Sequence, residues 1–135
     1  MTEVIAREVA ENDFNRFCES MDIDNDTAQM TEEDAKEFNE NKEILLKAVM
    51  DGRLVFNDDG EPEYTPKRGS FPNPLVFKEP TAATYTAMDR QKTGQDVGKM
   101  LALMDAMTKS TPGTCSRLAN VDFKVARSIA ILFLA

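Results

Sequence analysis

A mainly helical α+β domain with one small antiparallel sheet is the fold class this sequence predicts, and three observations predict it. Several stretches carry apolar residues at helical spacing, three or four apart. Between them, Leu54-Val55-Phe56 runs into Asn57-Asp58-Asp59-Gly60, a hairpin turn between two short arms over about 53–65. A further apolar strand over 75–78, Leu75-Val76-Phe77-Lys78, is closed by Glu79-Pro80-Thr81. Proline has no N–H to give a ladder, so the chain must turn there.

In chain order, Thr2–Met21 reads as a helix with Val4, Ile5, Val9, Phe14, Phe17, Cys18 and Met21 on its stripe. Asp22-Ile23-Asp24-Asn25-Asp26-Thr27 is a polar break. Thr31-Glu32-Glu33-Asp34 opens a second helix as a capping-box-like start, with acids at the positive end of the helix dipole. Its apolar positions are Ala35, Phe38, Leu45, Leu46 and Val49, and Asp51-Gly52 closes it with a residue that tolerates a left-handed cap. Pro62 restricts the returning hairpin arm to a sheet edge. Pro66–Pro74 is a loop exposing Lys67 and Arg68.

After the strand, Thr81 serves as a helix N-cap. The helical region that follows carries Tyr85, Met88, Val97, Met100, Leu101, Met104 and Met107. It is expected to break near Gly94 and restart around Gln95. Ser110–Thr114 is a turn, Leu118 packs inward, and Asn120 caps a last helix. That helix has Val121, Phe123, Val125, Ile129, Leu132 and Phe133 on its apolar face.

At 135 residues the chain is expected to be a single domain 1–135: an acidic helical half (1–51), a hairpin (52–66) and a strand with helices (74–135). Residues 1–51 hold 15 Asp and Glu against 5 Lys and Arg, a net of −10; the remainder holds 9 against 11, a net of +2. So acidic a half is unsuited to nucleic acid, whose phosphates need cations. Cys18 and Cys115 match no paired spacing and there is no His. They read as small buried residues in a reducing compartment. No charged-then-apolar leader is evident, and no run approaches the roughly 20 apolar residues of a membrane span. A cytoplasmic protein is expected.

An enzyme is not expected. Without His the commonest general base near neutral pH is missing, and nucleophile-elbow, Walker and dinucleotide-loop motifs are absent. One metal motif stands out. Asp22, Asp24 and Asp26 take positions 1, 3 and 5 of an EF-hand-like loop, and Glu33 falls at position 12. Thr27 replaces the usual Gly at position 6, Gln29 replaces the apolar position 8, and a solvated linker accounts for the same residues. Ca²⁺ is therefore an alternative cofactor, not the leading expectation, which is none.

Met100, Met104 and Met107 share one helical face. Flexible, polarisable thioethers suit a surface that moulds itself to a partner, and equally the filling of an ordinary core. Leu75-Val-Phe-Lys-Glu-Pro-Thr81, Met88-Asp89, the Met100–Met107 stripe and Arg117-Leu118-Ala-Asn-Val-Asp122 with Ile129 and Phe133 together resemble the tail assembly chaperones of tailed bacteriophages, over about residues 74–135. The acidic first half and the hairpin depart from that pattern. The resemblance implies a non-catalytic protein of the host cytoplasm, missing from the mature virion. It would coat the tape measure protein and help tail tube protein polymerise around it, with self-association as a further expectation. The partner-binding residues expected on this reading are Tyr85, Met88, Met100, Met104 and Met107. Two other readings remain: a calcium-regulated acidic module using Asp22, Asp24, Asp26 and Glu33, and an inhibitor presenting its acidic half to a nucleic-acid-binding protein.

Overall fold

The computed structural model describes residues 5–89 and 96–134. The described residues form five α-helices, α1 (Arg7–Ser20), α2 (Glu32–Met50), α3 (Ala82–Asp89), α4 (Asp96–Met107) and α5 (Asn120–Leu134), and a sheet of β1 (Leu54–Phe56), β2 (Pro62–Tyr64) and β3 (Leu75–Val76). The fold is the expected mainly helical α+β arrangement. Both strand pairings are antiparallel, in the order β1-β2-β3. The break expected at Gly94 and Gln95, and Val4 of the first stripe, lie outside the described residues.

Helix α1 starts five residues later than expected. The Ile5 N–H donates to the Met50 carbonyl at 3.1 Å and Ala6 is extended, so the chain enters α1 already tied to the end of α2. The buried stripe is Ala10, Phe14, Phe17 and Cys18, while Val9, expected inside, is 48% exposed. Helix α2 begins as expected: Thr31 Oγ1 accepts from the Asp34 N–H at 3.1 Å, behind three acids in the first turn.

Pro62 stands in the central strand, contrary to the expected edge. It is the first residue of β2, where its missing N–H costs no ladder bond, and its carbonyl accepts from the Phe77 N–H at 2.8 Å. The turn before it is held by Asn57, whose Oδ1 accepts from the N–H groups of Asp59 and Glu61. Gly60 there has φ +79°, and a Cβ on it would come within 2.8 Å of Ser20 Cβ, so the hairpin tip packs directly on the end of α1. The last helix also differs in its start. Asn120 is its first residue, and the Ala119 carbonyl receives the Asp122 and Phe123 N–H groups. Thr81 does precede α3, but there the Thr84 hydroxyl accepts from the Thr81 N–H at 2.9 Å, the reciprocal half of a capping box.

One core joins the elements. Phe17 of α1 stacks on Phe56 of β1 with centroids 5.0 Å apart, and meets Phe133 of α5 edge-on at 5.4 Å. Leu45, Leu46, Leu54, Phe77, Leu103, Met104 and Ile129 are sealed with it.

Three helices end in one pattern. After α1 the Ile23 N–H reaches the Cys18 carbonyl (2.8 Å); after α2 Arg53 reaches Ala48 (3.1 Å); after α4 Ser110 reaches Asp105 (2.9 Å). These are Schellman closures, which put the intervening residue in the left-handed region. Gly52 suits it, but Asp22 (φ 54°) and Lys109 (φ 52°) carry side chains there. Asp22→Gly is therefore expected to raise stability by roughly 0.5–1 kcal/mol, read as a higher urea midpoint. A lower midpoint would mean that the Asp22 carboxylate has a role the backbone does not require.

Candidate functional site

The five residues expected to form a partner surface do not share one environment. Met104 and Met107 are sealed (0% and 1% exposed), Met88 and Met100 are half-buried against the core, and Tyr85 is exposed. The stripe is one helical face, as its spacing requires, but that face turns inward. Burial of unbranched apolar side chains in the shared core is favourable at about 25 cal/mol per Å². Sequence spacing cannot distinguish a face aimed at the core from one aimed at a partner. Met104 and Met107 are thus corrected to core residues. The β3 exit reinforces this, since the Lys78 N–H donates to the Met107 carbonyl at 3.1 Å.

What remains accessible is the outside of the α3–α4 pair. Helix α3 packs on α4 and buries none of its residues completely. On α4, Val97 is 64% exposed. Between the two helices and the turn 110–116 lies an open groove of about 500 Å³, lined by small or apolar residues including Ala83, Ala87, Gly98, Leu101 and Ala102. Small side chains let another helix or an aromatic ring come close to the backbone.

The groove's wall is built by a buried carboxylate missed by sequence reasoning. Asp105 Oδ1 accepts from the Cys115 N–H at 2.8 Å and Oδ2 from the Gly113 N–H at 2.9 Å, folding the turn back on α4. Asp122, fully buried on α5, does the same for the loop after β2. Its Oδ1 accepts from the Tyr64 hydroxyl (2.6 Å) and the Lys67 N–H (2.6 Å), and its Oδ2 from the Arg68 N–H (3.0 Å). A third buried polar contact, the Ser128 hydroxyl to Asn41 Oδ1 at 2.9 Å, joins α5 to α2. The available signal was an acid inside an otherwise apolar helical face, at Met104-Asp105 and Val121-Asp122.

The residues of the calcium alternative have separate backbone duties. Asp22 closes α1, Asp24 Oδ1 accepts from the Asp26 N–H (3.0 Å), and Asp26 Oδ1 accepts from the Ala28 N–H (3.1 Å), capping a single 3₁₀ turn. Glu33 lies in the first turn of α2. Among the described residues, no group of three or more His, Cys, Asp or Glu side chains is gathered to hold an ion. Among them, too, no helix is long and apolar enough to cross a membrane.

Cys18 and Cys115 are free and buried. Burial pushes both thiols up to about 12, with the neighbouring Asp105 adding to the effect at Cys115. Burial and then the Asp122 contact raise the Tyr64 phenol. Each group holds its proton more tightly when folded. The resulting stability is complete below the unfolded thiol value near 9 and is lost as pH rises towards 12. The urea midpoint should therefore be flat from pH 7 to 8.5 and fall steeply above pH 9; a flat alkaline limb would contradict the buried thiols.

No family model matches this chain, and neither the curated proteins nor the solved structures contain a match to it.

Proposed function

We propose that this protein is a non-catalytic chaperone for a long amphipathic-helical partner, of the kind its second half resembles: a tail assembly chaperone that holds a phage tape measure protein and assists tail tube assembly in the host cytoplasm. The observation that carries the reading is that α3 lies on the surface without completely burying any residue, beside an open, small-residue groove. Tyr85 and Val97 stand exposed on that pair, Leu101 lines the groove, and Met88 and Met100 are half-buried against the core. An amphipathic helix laid along α3 and α4 would cover these apolar atoms and receive its own apolar face in return. The strongly negative half supplies solubility to a complex that would otherwise aggregate. The residues assigned to the site are exposed Tyr85 and Val97, groove-lining Leu101, and half-buried Met88 and Met100.

Co-expression with a helical tape measure fragment tests this. The fragment should become soluble and co-purify, and Tyr85→Lys should weaken the complex about tenfold while leaving the melting temperature unchanged. A fragment that stays insoluble, or a Tyr85→Lys protein that binds as tightly as the parent, would overturn the assignment.

A further inference from the structure

A second groove lies away from the α3–α4 pair. It has a volume of about 440 Å³ and sits where the first half of α2 meets the end of α5. Its floor is apolar: Met30, Phe38, Ile131, Leu132 and Leu134, of which Leu134 is 41% exposed. Its rim is acidic: Asp24 before the 3₁₀ turn, and Asp34 and Glu37 on α2. All three rim residues are exposed, and none forms an ion pair among the described residues. Asp34, Glu37, Phe38 and Asn41 fall at i, i+3, i+4 and i+7, so carboxylates and floor share one face of α2. Among the described residues, no Lys or Arg lines the groove.

From this combination we infer that the groove is a docking site for a basic amphipathic segment of another protein, an apolar anchor side chain flanked by Lys or Arg. Charge complementarity selects the occupant. An acidic segment would bring its charge against three carboxylates within a half of net charge −10, and a neutral apolar segment would leave that rim without partners. The volume accommodates one or two large apolar side chains, with cations at the lip where water still screens them. The inference does not rest on the chaperone reading, since the groove shares no lining residue with the α3–α4 surface.

The test uses the full chain and three labelled synthetic peptides: a Lys/Leu amphipathic helix, its Glu/Leu counterpart and a Lys/Ser counterpart, followed by fluorescence anisotropy. The Lys/Leu peptide should bind saturably, more weakly as salt rises, and the other two should not bind. Glu37→Lys should weaken binding about tenfold and Leu134→Ser about fivefold. Both side chains are exposed, and the Glu37 contact to Asn41 is made by its backbone carbonyl, so both variants should melt like the parent. Three outcomes would overturn the inference. They are equal affinity of the variants and the parent, equal binding of the Lys/Ser and Lys/Leu peptides, and a dimer dissociated by Leu134→Ser, which would assign the groove to a second copy of the chain.

Discussion

Asp122→Ala is expected to lower stability by about 3–5 kcal/mol, the largest single polar effect in the protein. Three donors converge on this carboxylate, the Tyr64 hydroxyl and the Lys67 and Arg68 amides, and the residue is wholly buried. Alanine leaves the Tyr64 hydroxyl without an acceptor inside the core and releases the loop after β2 from α5. Asp122→Asn keeps the shape but turns one donor group towards an amide that needs an acceptor, so about half the loss should remain. Tyr64→Phe removes one donor and leaves the carboxylate with two, at a cost of about 1–2 kcal/mol. Urea melts of the single variants and of the Tyr64→Phe, Asp122→Ala double variant give the coupling directly. Additive losses would mean that the 2.6 Å hydroxyl contact contributes nothing of its own.

That network marks where reading the sequence stops. The elements themselves were legible because each rests on local chemistry: the Thr31 cap, the Asn57-Asp58-Asp59-Gly60 turn, Gly52 after α2, and the stop at Pro80. Direction was not legible. The face holding Met100, Met104 and Met107 has the same spacing whether it meets the core or a partner, and only the packing of α4 on its neighbouring helices decides. The same spacing put Val9 on the inner stripe, whereas Ala10 takes the buried place. The expected edge role of Pro62 failed because the proline rule concerns a missing N–H, and at the first residue of β2 no N–H was wanted. Asp105 and Asp122 escape a local reading, because their donors are backbone amides 8 and 10 residues away in one case, and in the other two backbone amides 54 and 55 residues away with a tyrosine hydroxyl 58 away. The calcium-like spacing shows the converse. Asp22, Asp24 and Asp26 recur because a Schellman closure, an Asx turn and a 3₁₀ cap follow one another, and each admits an acid.

Met104→Lys should produce a loss of similar size for a different reason. Its side chain has no exposure, and an ammonium there would be stripped of water with no carboxylate provided for it. Folding must either neutralise the lysine or open the core around α4, at about 3–5 kcal/mol, which for a domain of this size lowers the melting temperature by about 10–20 °C. Met100→Lys starts from a half-buried position. A lysine there can lay its stem along the apolar surface and lift its charge into water, so a loss of no more than about 1 kcal/mol is expected. The contrast controls how partner binding must be read. A Met104 variant that fails to hold a helical partner has lost its own core and says nothing about the interface. A Met100 or Tyr85 variant that melts like the parent yet releases the partner would locate contact on the α3–α4 pair. If Met104→Lys melts with the parent instead, the α4 stripe turns outward in solution, and the thioether face regains the role its spacing allowed.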